Sequence, residues 1–270
     1  MNKLFLFALA CIISGSISAQ DSTRNVTPTT NKKDKKTAKR ERINNMLRME
    51  EEGELIFNKH GIFGIKLATD GYGISYERGK YKTNTRTLLY QFELNEKKNP
   101  KDHKVSGEGN NGYTFNTYVF GKLNNFYQFK AAVGEQFLIG GKGNKNGVAV
   151  TALYTGGLSL GILKPYFVDV RSTTSDEIFR SKYPTVVDSG YAVQGASGFF
   201  VGWGEAKFKP GINAKTGLRF DYGRFNESIT AIEVGMTGEF YFSKIPMLYK
   251  VPEKQFFFNA YLTIMFGKRK

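Results

Sequence analysis

From about Gly61 to the end of the chain, apolar side chains recur at every second position, and no other feature restricts the fold as much. Between residues 126 and 139 the odd positions hold Tyr127, Phe129, Ala131, Val133, Phe137 and Ile139. The even ones include Gln128, Lys130, Ala132, Gly134 and Gln136. The same period places Ile212, Ala214, Leu218, Phe220 and Tyr222 against Asn213, Lys215, Gly217, Arg219 and Asp221. It recurs with Ile232, Val234, Met236, Phe240 and Phe242 against Glu233, Gly235, Thr237, Glu239 and Tyr241, and with Phe256, Phe258, Ala260, Leu262, Ile264 and Phe266 against Gln255, Asn259 and Thr263. Leu88, Tyr90, Phe92 and Leu94 likewise oppose Gln91 and Glu93. Successive side chains of a strand point to opposite faces, so each segment reads as a strand with one apolar and one polar face.

A water-soluble sandwich also alternates, so the content of the two faces decides between architectures. The polar faces carry glycine and small residues midway, as a narrow curved interior requires, and the apolar faces carry aromatics near strand ends. With 30 Gly, 23 Phe and 15 Tyr against one Trp, this matches a small antiparallel transmembrane β-barrel whose outer face meets lipid. Beyond the first twenty residues no apolar run is long enough for a membrane-crossing helix, and the mean hydropathy is −0.37. The expectation is therefore an all-β chain. Candidate strands fall near 61–69, 72–81, 86–96, 113–123, 126–139, 147–158, 162–171, 206–222, 229–242 and 254–266. Ten strands are preferred, and eight are possible, because Val148, Val150, Ala152, Tyr154, Leu158, Leu160 and Ile162 keep one parity as a single long strand would. An even count puts both termini on the periplasmic side. Asn124-Asn125 and Asn226-Glu227-Ser228 then become short inner turns, and 97–112, 172–200 and 243–253 become outward loops.

Ahead of the barrel, Met1 to Lys3 give a positive start, Leu4 to Ile13 an apolar core and Ser14 to Ala19 a small-residue exit, the pattern of a cleaved secretory signal over residues 1–19. The single cysteine, Cys11, lies inside that core, so the expected mature chain has neither disulfide nor thiolate metal site. Residues 20–58 form a basic flexible tail, with a possible short helix presenting Ile43, Met46 and Leu47, and the barrel takes residues 59–270. The formal net charge is +15. An exported chain meets little nucleic acid, so no nucleic-acid partner is expected; the basic run of the tail reads first as a solvated segment, with anionic lipid or a periplasmic polymer as its alternative contact.

The inward charges are the main candidate site. Glu77, Glu93, Glu135, Asp221, Glu233 and Glu239 are expected to face Lys130, Lys215 and Arg219 across the lumen. In a barrel this narrow such groups lie within bonding reach and fill the interior, so a plugged barrel is predicted. His60 and His103 make up the histidine inventory, and neither belongs to a metal-ligand pattern. His103 with Ser106 is the one nearby pair of the kind that a lipid-modifying barrel enzyme needs, and it lacks a third group to orient the base. No catalytic residue, metal or cofactor is assigned.

The chain also resembles a Bacteroidota-type family of outer-membrane β-barrels, over roughly residues 61–270. The shared stretches are Lys98-Asn99-Pro100-Lys101-Asp102, Val119-Phe120-Gly121-Lys122-Leu123-Asn124, Gly156 to Gly161 leading to Lys164-Pro165-Tyr166, Pro210-Gly211, Ile245-Pro246-Met247, and the ending from Phe256 to Arg269. The resemblance implies outer-membrane localisation in a Gram-negative envelope and the barrel architecture, and transfers no activity. Lys98, Pro100 and Lys101 in a cationic loop, and Ile245, Pro246 and Met247 in an apolar one, are candidate docking loops, the apolar one alternatively packing across the barrel mouth. The function expected is that of a non-enzymatic structural or accessory subunit of an outer-membrane assembly or secretion complex, in contact with outer-membrane lipid and with other outer-membrane or periplasmic proteins. The alternatives are a lipid-modifying barrel enzyme and a narrow solute channel.

Overall fold

The computed structural model describes Thr37, Glu41 and residues 57–107, 117–142, 147–172, 177–189, 191–223 and 227–270. The expected secretory signal (1–19) and most of the expected basic tail (20–58) lie outside these residues. Thirteen strands occur among them: β1 (Lys59–Ala68), β2 (Gly71–Tyr81), β3 (Arg86–Lys97), β4 (Lys104–Ser106), β5 (Thr117–Val119), β6 (Asn124–Gly140), β7 (Ala149–Pro165), β8 (Phe167–Arg171), β9 (Ile178–Lys182), β10 (Ala192–Ala196), β11 (Lys207–Asp221), β12 (Ser228–Ile245) and β13 (Lys254–Arg269). A short helix, α1 (Tyr183–Ser189), comes directly after β9.

Eight of the strands close into an antiparallel barrel in the order β1-β13-β12-β11-β7-β6-β3-β2. The closing seam joins β1 to β13, with Phe63 opposite Phe266, Ile65 opposite Ile264 and Leu67 opposite Leu262. Closure pairs every edge of the sheet.

The expectation of ten strands is thereby corrected to eight. Residues 149–165 run as one strand, and beyond Pro165 the chain leaves the barrel as β8; among the described residues of the 113–123 candidate, 117–123, the one strand is the three-residue β5, also outside the barrel. The glycines inside β7 mark close approach rather than a turn. A Cβ on Gly157 would stand 2.0 Å from the Ala131 carbonyl oxygen, and one on Gly161 would stand 2.7 Å from the Phe126 ring. Bare backbone there lets β6 and an inward ring press against the wall.

The alternation sorts side chains as the inverse of a soluble protein. Leu158 is 70% exposed, Phe258 61% and Ile65 50%, all on the outside, whereas Glu77 and Glu233 are fully buried in the interior. One barrel end holds both chain ends of the barrel domain, Lys59 and Arg269, with the connections 82–85, 141–148 and 222–227. The opposite end holds the tight turn 69–70 and the connections 98–123, 166–206 and 246–253. Asn124-Asn125 is not a turn at the termini end: it starts β6 at the opposite end, and Asn124 Nδ2 donates to the Pro246 carbonyl at 2.8 Å.

The two longest connections fold together into a cap. β8 is flanked by β9 and β10, and β4 pairs with β5. Val168, Val170 and Val186 are buried beneath Tyr118, Tyr166, Tyr191 and Val193. The Val119 amide donates to the Tyr166 hydroxyl at 3.0 Å, and burial raises the pKa of that phenol. The third connection straps across the mouth. The Leu123 amide donates to the Met247 carbonyl (2.9 Å), the Tyr249 amide to the Gly121 carbonyl (2.7 Å), and Leu248 bridges Lys122. Met247 and Ile245 are consequently buried with Phe126, Leu163 and Tyr241, packed by Phe257. Of the two readings of the Ile245-Pro246-Met247 loop, packing across the barrel mouth is the one observed and exposure for docking is not: hydrogen bonding to 121–124 turns Ile245 and Met247 into the lumen.

Candidate functional site in the barrel lumen

Inward positions of β1, β2, β3, β6, β11 and β12, with Asp70 in the turn after β1, converge on a continuous ladder of ions. At the capped end, Asp70 and Glu239 both hold Lys97, at 2.5 and 2.8 Å, and Glu239 also binds Lys130 and accepts from Gln128 Nε2 at 2.8 Å. Lys130 lies 3.8 Å from Glu93, which takes Lys66 at 2.8 Å and Lys215 at 3.3 Å. Lys215 then reaches Glu233 at 2.7 Å. Arg219 joins the last rung. Its Nε and Nη2 donate to Glu233 at 3.0 and 2.7 Å, its Nη1 and Nη2 to Glu77 at 2.8 and 2.7 Å, and Nη1 also to Gln136 at 2.9 Å. His60 Nε2 meets Glu77 at 3.1 Å from the other side.

Sequence position explains why these charges tolerate burial. Each except Asp70, which sits in the turn between β1 and β2, stands on the inward parity of a strand, and register brings acids opposite bases: Glu93 pairs across from Lys130, and Arg219 from Glu233. Four glutamates and Asp70 meet four lysines and Arg219, so the ladder is close to neutral and its members satisfy one another. Tyr261 supplies a polar floor. Its hydroxyl donates to Glu233 at 2.9 Å, and Lys66 and Lys215 stand 4.5 and 4.7 Å over its ring. The ring fits because Gly217 and Gly235, register partners, leave bare wall beneath it; a Cβ on either would lie 2.5 to 2.8 Å from the Tyr261 hydroxyl.

Of the residues expected in the lumen, Glu77, Glu93, Lys130, Lys215, Arg219, Glu233 and Glu239 come together in this ladder. Asp221 lies apart from it at the termini end, bound to Arg269 and, at 3.5 Å, to Lys142. Glu135 does not enter: it has the outward parity of β6 with Val133 and Phe137, and pairs with Lys82 at 2.7 Å and with the Tyr154 hydroxyl at 3.4 Å. Lys66, Lys97, Gln91, Gln128, Tyr261 and His60 were missed. Lys66, between Ile65 and Leu67, carries the same parity signal in plain view. His60 is the first inward residue of β1 rather than part of a linker.

A cavity of about 310 Å³ opens at the termini end, lined by His60, Tyr81, Gln136, Thr151, Arg219 and Asp221 among others. Arg219 is where the cavity meets the ladder. Beyond it the ladder, and then the apolar cluster around Met247 and Phe126, fill the barrel. Among the described residues no group of three or more His, Cys, Asp or Glu side chains is placed to hold a metal ion. Lys98, Pro100 and Lys101 are exposed, with the Lys98 ammonium 4.9 Å over the Tyr72 ring. His103 and Ser106 are both exposed at the edge of the cap, and no hydrogen bond between them occurs among the described residues.

No protein-family model matches the chain, and no curated protein matches it. Among solved structures it is similar to the attachment invasion locus protein Ail of Yersinia pestis, at 9% identity and a TM-score of 0.36 over 80% of this chain and all of that one. It is similar to Neisserial surface protein A at 7% identity and a TM-score of 0.38, over 78% of this chain and 96% of that one. The third is the N-terminal β-barrel domain of Pseudomonas aeruginosa OprF, at 13% identity and a TM-score of 0.33, covering 78% and 98%.

Proposed function

We propose that the chain is an integral outer-membrane β-barrel, sealed to solute, that serves as a structural or accessory subunit of an outer-membrane assembly, with its termini and basic tail in the periplasm and its cap outside. One observation carries the membrane reading. The side chains around the outside are predominantly apolar strand after strand, while the lysines, glutamates and arginine of the ladder are buried in the interior of the same barrel. Water would penalise that arrangement, and hydrocarbon favours it, since a closed barrel leaves no backbone group unpaired at its edges. The short connections at the termini end and the long ones opposite supply the orientation. The stretches shared with the Bacteroidota-type family point to the same envelope.

The accessory role draws on what the barrel holds. Its lumen charges are used on one another, which braces the wall, and the exposed part of the molecule is a folded cap carrying the cationic loop of Lys98, Pro100 and Lys101. The test is expression in a Gram-negative host, then fractionation and affinity purification of the detergent-solubilised protein with mass spectrometry. The expected result is outer-membrane recovery, heat-dependent electrophoretic migration, and a co-purifying envelope protein that Lys98→Glu with Lys101→Glu releases without loss of the barrel. A chain that stays monodisperse without detergent overturns the membrane reading; a barrel recovered with no partner overturns the subunit reading alone.

A further inference from the structure

The connection between β10 and β11 does not remain over the barrel mouth. After the Ser197 amide bonds the Phe167 carbonyl at 3.0 Å, the chain turns through Gly198 to Val201 and enters a single 3-10 turn, Trp203–Glu205, before β11. On this path the rings of Phe199 and Trp203 settle against the outer wall. Trp203 stacks on Tyr127 with centroids 5.5 Å apart and planes at 20°, and Phe199 meets Tyr127 edge-on at 6.3 Å. Tyr127 has the outward parity of β6, in line with the exposed Phe129 and Val133.

Two features fix the rings there. Lys164, from the outward parity of β7, is enclosed beneath them; its ammonium donates to the Phe199 carbonyl and stands 4.7 Å from the Phe199 ring and 5.5 Å from the Trp203 ring. Gly202 has φ = +89°, and a Cβ on it would lie 2.9 Å from the Pro165 carbonyl oxygen and 3.0 Å from the Phe167 ring, so glycine is what lets the turn press against the rim. The fold nevertheless leaves Phe200 86% and Phe199 57% exposed.

We infer that Phe199 and Trp203, held on Tyr127 and Lys164, with Phe200 edge-on to Phe199, form an aromatic wedge that inserts into the lipid head-group region at the capped end of the barrel. This rests on the membrane reading above and goes further by assigning a loop, not a strand, to the lipid contact. The occupant is given by continuity: the wedge extends the outward apolar band of β6 and β7, at the height where Tyr72 and Phe208 also face outward. Aromatic rings beside lysines are the chemistry of that interfacial layer. A water-facing loop gains nothing from clamping two rings to the wall and leaving Phe199 and Phe200 largely bare.

Trp203 is the only tryptophan in the chain, so its emission reports on the wedge without labelling. The protein is reconstituted in phosphatidylcholine vesicles containing phospholipid brominated either near the head group or near the chain end, with insertion checked independently by protease protection of the barrel. The wedge predicts about a twofold or greater loss of emission with the shallow bromine, less with the deep one, and little quenching by iodide. Gly202→Val is expected to release the turn and exchange bromolipid quenching for iodide quenching while the barrel stays protease-protected. A protected barrel whose Trp203 is quenched by iodide and not by bromolipid overturns the wedge alone, as does one quenched by neither, which means a protein covers the ring. A barrel that never becomes protected overturns the reading beneath it.

Discussion

Arg219 shows how a single side chain can be both buried and necessary. Its guanidinium bonds two glutamates, Glu77 and Glu233, and one glutamine, and the fixed fork of donors allows this where the point charge of a lysine does not. Removing it leaves two buried carboxylates that face each other without a cation between them. Arg219→Met is expected to destabilise the barrel by about 3–5 kcal/mol, read from urea unfolding in detergent, and adding Glu77→Gln and Glu233→Gln is expected to recover part of that loss. An unchanged midpoint in Arg219→Met would show that the ladder does not brace the wall. Parity in the sequence already turns Arg219 inward. Which of the inward acids it binds was open in the sequence; Glu77, 142 positions earlier, becomes its partner because strand order brings β2 and β11 to opposite sides of one narrow lumen. Glu135 gives the converse lesson, since its charge suggested an interior place and its odd position in β6 did not.

At the scale of elements, β13 measures what lies outside the barrel. Ala260 is an exposed outward residue near its middle, and Phe256 is one near its end at the capped rim. Arg at the middle of a lipid-facing strand costs about 2–4 kcal/mol and falls to about 0–1 kcal/mol near the interface. Ala260→Arg is therefore expected to impair assembly in vesicles, and Phe256→Arg to be tolerated far better, by yield of heat-modifiable barrel. Equal yields would place water, not hydrocarbon, against this face. The strand pattern itself was readable wherever alternation ran unbroken. It failed at β7, where Gly157 and Gly161 look like punctuation and serve instead as hollows for the neighbouring strand and an inward ring. It failed again at Asn124-Asn125, because two asparagines signal a turn locally while Asn124 caps a strand and anchors the Pro246 strap.

For the molecule as a whole, the filled lumen bears on transport. With the ion ladder across the middle and Phe126, Tyr241, Ile245 and Met247 packed beyond it, the 310 Å³ cavity ends within the barrel. Planar bilayers holding the purified protein are expected to show no stepwise current, and steady unitary steps would overturn the sealed reading. The periodic sequence by itself determined that the chain is built from two-faced strands and which residues share each face, because side-chain direction in a strand is set by counting by twos. Closure at eight strands, the pairing of each buried charge, the burial of Met247 and the descent of Trp203 onto the wall were decided only in the tertiary structure. These depend on contacts between residues far apart in the chain, which local alternation does not encode.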